Sequence, residues 1–317
     1  MKYTKKFGSI LLVLSLMVMV GFHPAISLSK EKYEKKFQKT VQLSQTGKVK
    51  LKNISGYIEV KTWNRSEVKI DALKVSKASS LSKAEENAQK VKIEVNKSGD
   101  LLEIETDYSK HSSNSLNVSV DYNLMVPSRV SLDLNSVSGD VFMEKIGGEV
   151  EAEVVSGNIE MMGAGKDVDC QTVSGDLRVQ DVKGYVVVFT VSGDLSLERI
   201  KGSVEAETVS GNVEMKEVTD AEKIKGKTLN GEIVYEGSLR KGSRYNFNSH
   251  SGDIHLNIPA SSSFELEAKT FSGEIESDFE IALSGKVSSK KIRGTVNEGG
   301  AELSLDTFSG DVYLKKK

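Results

Sequence analysis

Hydrophobic residues recur along much of this chain at a fixed interval of 18 residues. Val141, Ile159, Leu177, Leu195 and Val213 form one column, and Met143, Met161, Val179, Leu197 and Met215 form a second. Ile146, Ala164, Val182, Ile200 and Val218 form a third. Val150, Val168, Val186 and Val204 stand in a fourth, and Ala152, Cys170, Val188 and Ala206 in a fifth. The sixth is Val137, Val155, Val173, Val191 and Val209. Between the columns apolar and polar positions alternate, as on strands with one buried face, and a 3.6-residue helical period does not fit. Each repeat therefore predicts two short strands. A unit so small cannot bury its apolar side alone and must stack on its own copies. The expected fold is all-β: a parallel β-solenoid of coils 18 to 21 residues long, with all six columns as interior ladders. Two sheets fit the two strands per coil, and three would follow if one strand bends.

The words TVSGD, TVSGD and TVSGN mark one corner of each coil. Glycine stands at ten such corners: Gly56, Gly139, Gly157, Gly175, Gly193, Gly211, Gly231, Gly252, Gly273 and Gly310. Glycine supplies the positive φ of a sharp turn, and Ser, Asp and Asn hydrogen-bond nearby backbone. The second turn of the coil centres on Gly148, Gly184 and Gly202. Between Trp63 and Val130 the motif is missing. There 68–75, 91–95, 101–106 and 117–126 read as strands and 82–90 as one short helix, with exposed loops at 77–83 and 108–115. This β-rich insertion is expected to cover or flank the N-terminal coils, because solenoid ends need caps. The organisation that follows is a lead-in at 28–46, a first coil plus insertion at 47–131, and the repeat domain at 132–317.

Chemistry adds little to this picture. A catalytic motif needs one copy, and SG[DN] has many. A column of Asp140, Asn158, Asp176, Asp194 and Asn212 could offer oxygens to calcium, but the G-G-x-G-x-D signature of calcium β-rolls is missing. Cys170 stands in an interior column and reads as a small core residue. Four histidines make no constellation: His250 takes an apolar corner slot, His255 follows in a strand, and His111 is in a loop. The chain is read as non-catalytic and without a cofactor. A polysaccharide-cutting β-helix enzyme is the remaining catalytic alternative.

The first residues change the setting. Lys2, Lys5 and Lys6 precede an apolar run from Ile10 to Phe22, and Ala25 and Ser27 offer small residues for cleavage. Residues 1–27 are read as a signal peptide cut after Ser27, with no stable transmembrane domain afterwards. Its removal takes the formal charge from −2 to −5, which argues against nucleic acid as a partner. One cysteine leaves no internal disulfide. The expected location is extracellular, cell-surface or periplasmic.

Outward positions are more informative. Two coils present Glu149, Glu151, Glu153 and Asp167, Asp169, Gln171, and a third presents Ser203, Glu205, Glu207. The coil between presents Tyr185, Val187 and Phe189. This apolar ridge in an acidic face is the candidate partner site, unless the insertion or a loop covers it.

The export signal, VKLKNISGYIEVKTWNRSEVKI at 49–70 and the repeated SG[DN]-x-x-[VLM] words together resemble the putative-adhesin family of bacterial β-strand-repeat proteins. The resemblance spans most of the mature chain and implies a right-handed β-helix-like fold outside the membrane. It carries no catalytic residues over. It implies a protein that presents an extended surface to another protein or to an envelope or extracellular polysaccharide. A scaffold or stress-response accessory that stays on the producing cell is the second reading.

Overall fold

Two long sheets face each other across a single row of apolar ladders. The computed structural model describes residues 30–108, 116–285 and 288–317. The expected signal segment lies outside the described residues, as do His111 and nearly all of the loop at 108–115.

The regular coils pair β8 (Ser131–Ser138) with β9 (Val141–Ile146), β10 (Val150–Ser156) with β11 (Ile159–Ala164), and β12 (Val168–Ser174) with β13 (Leu177–Lys183). They continue with β14 (Val186–Ser192) and β15 (Leu195–Lys201), β16 (Val204–Ser210) and β17 (Val213–Val218), and β18 (Lys223–Asn230) and β19 (Ile233–Gly237). The first strand of each coil joins a 14-stranded sheet and the second a 13-stranded sheet. Pairing between these coils is parallel, and the register repeats the sequence columns: Val150 meets Val168, Ala152 meets Cys170, and Ile159 meets Leu177. Five of the six columns are inside, with Val186, Ala206 and Val213 completely buried. In the later coils the ladders turn aromatic. Phe247 packs against Tyr235, with ring centroids 5.3 Å apart. Gly226 stands beside them because a Cβ there would lie 3.0 Å from the Phe247 ring.

The N-terminal end is built out of sequence order. It comprises β1 (Glu31–Gln42), β2 (Lys48–Ser55), β3 (Ile58–Trp63), β4 (Glu67–Ala78), α1 (Leu81–Lys90), β5 (Val91–Ser98), β6 (Leu101–Tyr108) and β7 (Val118–Pro127). The coil of β2 and β3 lies between β6 and β7 on one side and β8 and β9 on the other. Beyond β7, antiparallel β4 and then β1 extend one sheet, and antiparallel β5 extends the other. The insertion thus prolongs both sheets past the first coil rather than lying over the coils. α1 begins where Ser80 accepts a hydrogen bond from the Lys83 amide, and its apolar stripe, Ala84 and Ala88, is buried. The helix packs on β4 and β1.

The C-terminal end uses the same device. β20 (Arg244–Ser251) and β21 (Ile254–Ile258) continue the stack; then come β22 (Phe264–Ser272), β23 (Ile275–Ser277), β24 (Ala282–Leu283), β25 (Lys291–Val296), β26 (Ala301–Ser309) and β27 (Val312–Lys316). The last coil in sequence is not the last in space. β26 pairs with both β20 and β22, and β27 with both β21 and β23. The chain leaves a gap, builds the terminal coil, and returns to fill the gap.

Near the end of the second strand of the regular coils a left-handed residue recurs: Lys145 (φ 58°), Asp181 (57°), Arg199 (54°) and Glu217 (53°). Gly163 holds the equivalent place at φ 86°, and a Cβ there would come no closer than 3.5 Å to its neighbour. Ordinary side chains fit this slot at a cost of about 1–2 kcal/mol, partly offset in the unfolded chain. Gly163→Asp is expected to stay within about 1 kcal/mol of the parent. Gly157→Asp, six residues away, should be severely destabilised, because its Cβ would sit 2.3 Å from the Gly139 carbonyl oxygen. Thermal melts of the two variants make the comparison.

Candidate functional site

The threonine and the Asp or Asn of the corner word each hydrogen-bond the backbone of a neighbouring coil. Thr172, Thr190, Thr208 and Thr228 point inward, and each hydroxyl donates to the carbonyl of a corner glycine one coil away: Gly157 (3.1 Å), Gly175 (3.1 Å), Gly193 (3.2 Å) and Gly211 (2.9 Å). The Asp/Asn column makes a second ladder. Asp140 Oδ1 accepts from the Asn158 amide at 2.8 Å, Asn158 Oδ1 from Asp176, Asp176 from Asp194, and Asp194 from Asn212. One oxygen of each column member is therefore committed to holding the next coil. Among the described residues no group of three His, Cys, Asp or Glu side chains is placed to hold a metal ion. The repeated motif is a corner, and its acids are structural.

The sixth hydrophobic column reverses the expectation. Val137, Val155 and Val173 are 48–50% exposed, and Leu229, Phe308 and Phe271 are exposed too. Strict alternation explains it. Val168 and Cys170 point inward, so Thr172 does as well and Val173 must point out. The threonine hydroxyl takes the inward slot because the glycine carbonyl needs a donor there, and this outweighs the valine's hydropathy. The outward residues stack in register as Ile54, Val137, Val155, Val173, Val191, Val209, Leu229, His250, Phe308 and Phe271. His250 and Phe271 each stack on Phe308, with centroids 5.0 and 4.7 Å apart and rings nearly parallel. At about 4.8 Å per coil the ladder runs roughly 43 Å along the edge of the 14-stranded sheet.

The predicted ridge lies on the same outer face. Tyr185 is 38% exposed, and Val187 and Phe189 are half-buried. Among the described residues neither the insertion nor a loop closes over them. Phe189 joins Ile54, Val137, Val155 and Val173 around a shallow cavity of about 580 Å³. Tyr185 and Val187 border a second, of about 530 Å³, with Glu149, Glu151, Asp167 and Asp169. The ridge thus separates two shallow depressions. On one flank, Tyr185 donates its hydroxyl to Glu205 at 3.0 Å, and Lys225 bridges Glu205 and Glu207. The Lys225 hydrogen bond is the main reason Glu205 is held down to about 2, and burial foremost pushes the Tyr185 hydroxyl up. On the other flank, Lys48 and Lys50 neutralise Asp133, while Glu151, Glu153 and Asp169 have no lysine or arginine within salt-bridge reach among the described residues. The face is apolar along one edge and acidic beside it.

Cys170 is completely buried between Ala152 and Val188, and burial pushes its thiol pKa far up, so it carries no thiolate chemistry. His255 stacks on Tyr313 and meets Glu232 at 3.1 Å on the outer face of the 13-stranded sheet. His250 belongs to the exposed ladder. The structure does not bring these groups together into one site. One group escapes any sequence motif: Lys74, on the inward face of β4, is only 9% exposed. Its signal was legible, since VKIDALKV puts a lysine in the alternating positions of Val68, Ile70 and Ala72.

Two facing, mainly parallel sheets of stacked coils define a β-solenoid. The chain belongs to the Toastrack DUF4097 family, whose profile matches residues 46–315. No curated protein matches it. Among solved structures it is similar to a "putative cell adhesion protein" from Clostridium sporogenes, at 10% identity and TM-score 0.23 over 90% of this chain and 100% of that one. It is also similar to a "putative adhesin" from Bacteroides fragilis, at 11% identity and TM-score 0.40 over 88% of this chain and 96% of that one. A "putative lipid binding protein" from Parabacteroides distasonis gives 12% identity and TM-score 0.46 over the same shares. Likeness at this level carries no activity from those proteins to this one. No described helix is long and apolar enough to cross a membrane.

Proposed function

We propose that this is an exported, non-catalytic interaction protein that binds a partner of the cell envelope or its surroundings through the outer face of the 14-stranded sheet. The observation that carries the reading is the exposed apolar ladder meeting the ridge at Phe189. Solvating a row of Val, Leu and Phe side chains over ten coils gives the isolated protein nothing, and large exposed apolar patches mark interaction sites. The acids beside it favour a partner with cationic groups at the rim, which would set orientation and speed of encounter more than affinity. The signal-like residues 1–27 support export, with the solenoid delivered to the surface or the periplasm.

The test has two arms. External protease on intact producing cells should remove a C-terminal tag if the solenoid is on the surface; protection until the envelope is opened would sink the surface-adhesin form of the proposal. Changing Tyr185, Val187 and Phe189 together to serine should lower capture of the partner at least ten-fold while shifting Tm by only a few degrees, since none of the three is in the core. Unchanged capture by a folded variant would remove the ridge from the proposal.

A further inference from the structure

The N-terminal mouth of the solenoid carries chemistry that the ridge does not. Residues 30–98 hold 17 Lys and Arg against 8 Asp and Glu, a formal +9, whereas residues 99–222 hold 9 against 24, a formal −15. The positive charge gathers on β1 to β5, which close one end of the molecule. Between β1, the end of α1 and the free edge of β5 lies a cavity of about 460 Å³. Lys35, Lys36, Lys74 and Lys92 line it with one acid, Glu94. Lys35 and Lys74 are directly opposite each other in the β1–β4 ladder and share its inward face. Like charges so placed destabilise a sheet unless something compensates. Neither has a carboxylate within salt-bridge reach among the described residues.

The protein's own groups compensate in part. Lys74 Nζ donates to the carbonyls of Ala88, at 2.9 Å, and Val91, which caps the end of α1 and cancels its negative pole. An ammonium has three N–H groups, so one is left without a protein acceptor among the described residues. Burial, and then Lys35, push the Lys74 pKa down, as expected of a cation short of negative charge. Among the described residues β5 pairs only with β6, and its Val91 and Val95 carbonyls, on the other edge, accept from Lys74 and Lys39. In an antiparallel strand alternate residues turn both backbone groups the same way. The Ile93 N–H therefore points from this edge as well, between the two. Phe37, Ala88 and Ile93 supply apolar lining.

We propose that this mouth is a binding site for a phosphomonoester. A phosphate brings a charge of about −1.5 to −2 and three acceptor oxygens, enough for several lysines and a backbone N–H at once. A carboxylate brings one charge and two oxygens. The apolar lining suits an organic group carried on the ester. The site lies at the capped end and is independent of the partner face.

The mature chain would be titrated with phenyl phosphate and with benzoate, and mixed with vesicles containing phosphatidic acid. Saturable binding of phenyl phosphate, at least ten-fold tighter than benzoate, is the expected result for a soluble ester. Binding to the vesicles alone would assign the same site to a lipid phosphate. Lys35→Gln with Lys92→Gln, both exposed and harmless to folding, should weaken binding at least ten-fold at unchanged Tm. Lys74→Met should abolish it; because that variant also uncaps α1, the exposed pair is the deciding one. No binding to either phosphate probe, benzoate binding as tightly, or undiminished binding by the exposed pair variant overturns the proposal.

Discussion

Gly193→Ala is expected to destabilise the solenoid by about 3 kcal/mol or more and to lower Tm by at least about 6 °C. Two independent costs meet at this methyl group. Gly193 has φ 154°, a conformation open to glycine and strained for alanine. Its Cβ would also stand 2.0 Å from the Gly175 carbonyl oxygen and 2.6 Å from the carbonyl carbon. Neither coil can give way. Gly175 N–H donates to Ser192 at 3.0 Å, Gly193 N–H donates to Ser210 at 3.0 Å, and the Thr190 hydroxyl holds the Gly175 carbonyl. Moving one corner strips bonds from two. In a stacked repeat the damage should be felt chiefly at the nearest-neighbour interface, so hydrogen exchange is expected to speed up first in β12 to β17. A melt within about 1 kcal/mol of the parent would mean that the corner is softer than its contacts indicate.

That result bears on what the repeat is for. A motif that cannot change because its backbone is packed against the next copy is a requirement of shape. The hydrogen-bonded Asp/Asn ladder and the inward threonines say the same of the flanking residues. Function has to be sought where the repeat leaves freedom, on outward positions and at the two ends.

The interior was legible in the sequence because an 18-residue period and a two-residue alternation put the same columns on the buried face of successive coils, whether two sheets or three. The helix was legible in Ala84 and Ala88. The valine column was misread, since hydropathy alone sends Val173 inward while the parity from Cys170 sends it out. Had parity been given precedence, the exposed ladder would have followed. Coil order was not legible. Leu266, Ala268 and Phe271 repeat the same pattern as Leu303, Leu305 and Phe308, and a pattern shared by two coils cannot say which stacks first. The longer final gap was the only trace of the return crossing. For the lysine mouth, the trace was Lys74 on an otherwise apolar strand face; its pairing with Lys35 needed the antiparallel return of β4 along β1.

The return crossing at the C-terminus gives the second large effect. Ending the chain at Gly300 is expected to detach β22 to β25 from the stack rather than merely shorten the solenoid. Without β26 and β27, β20 and β22 would stand two coil spacings apart, roughly 9.6 Å, with no strand between them. The deletion removes Leu303, Leu305, Val312 and Leu314, all at most 2% exposed. At about 1.5–3 kcal/mol per side chain the lost burial is roughly 6–12 kcal/mol, an upper bound because unfolded chains already bury some surface. It also removes the bond from the Thr307 hydroxyl to the Gly252 carbonyl and the two Asp253–Asp311–Glu274 corner bonds. β20 and β21 would become open parallel edges, so the truncated protein should self-associate. Hydrogen exchange should show residues 264–296 unprotected while the regular coils stay closed. A peptide spanning 298–317, added in trans, should restore protection at one equivalent and suppress association. Removing only Lys315, Lys316 and Lys317 should do far less, because these side chains lie outside the core. If the chain ending at Gly300 keeps residues 264–296 protected, β22 must have moved onto β20. The terminal coil would then close the stack by itself, and β26 would be an addition to the fold rather than its clamp.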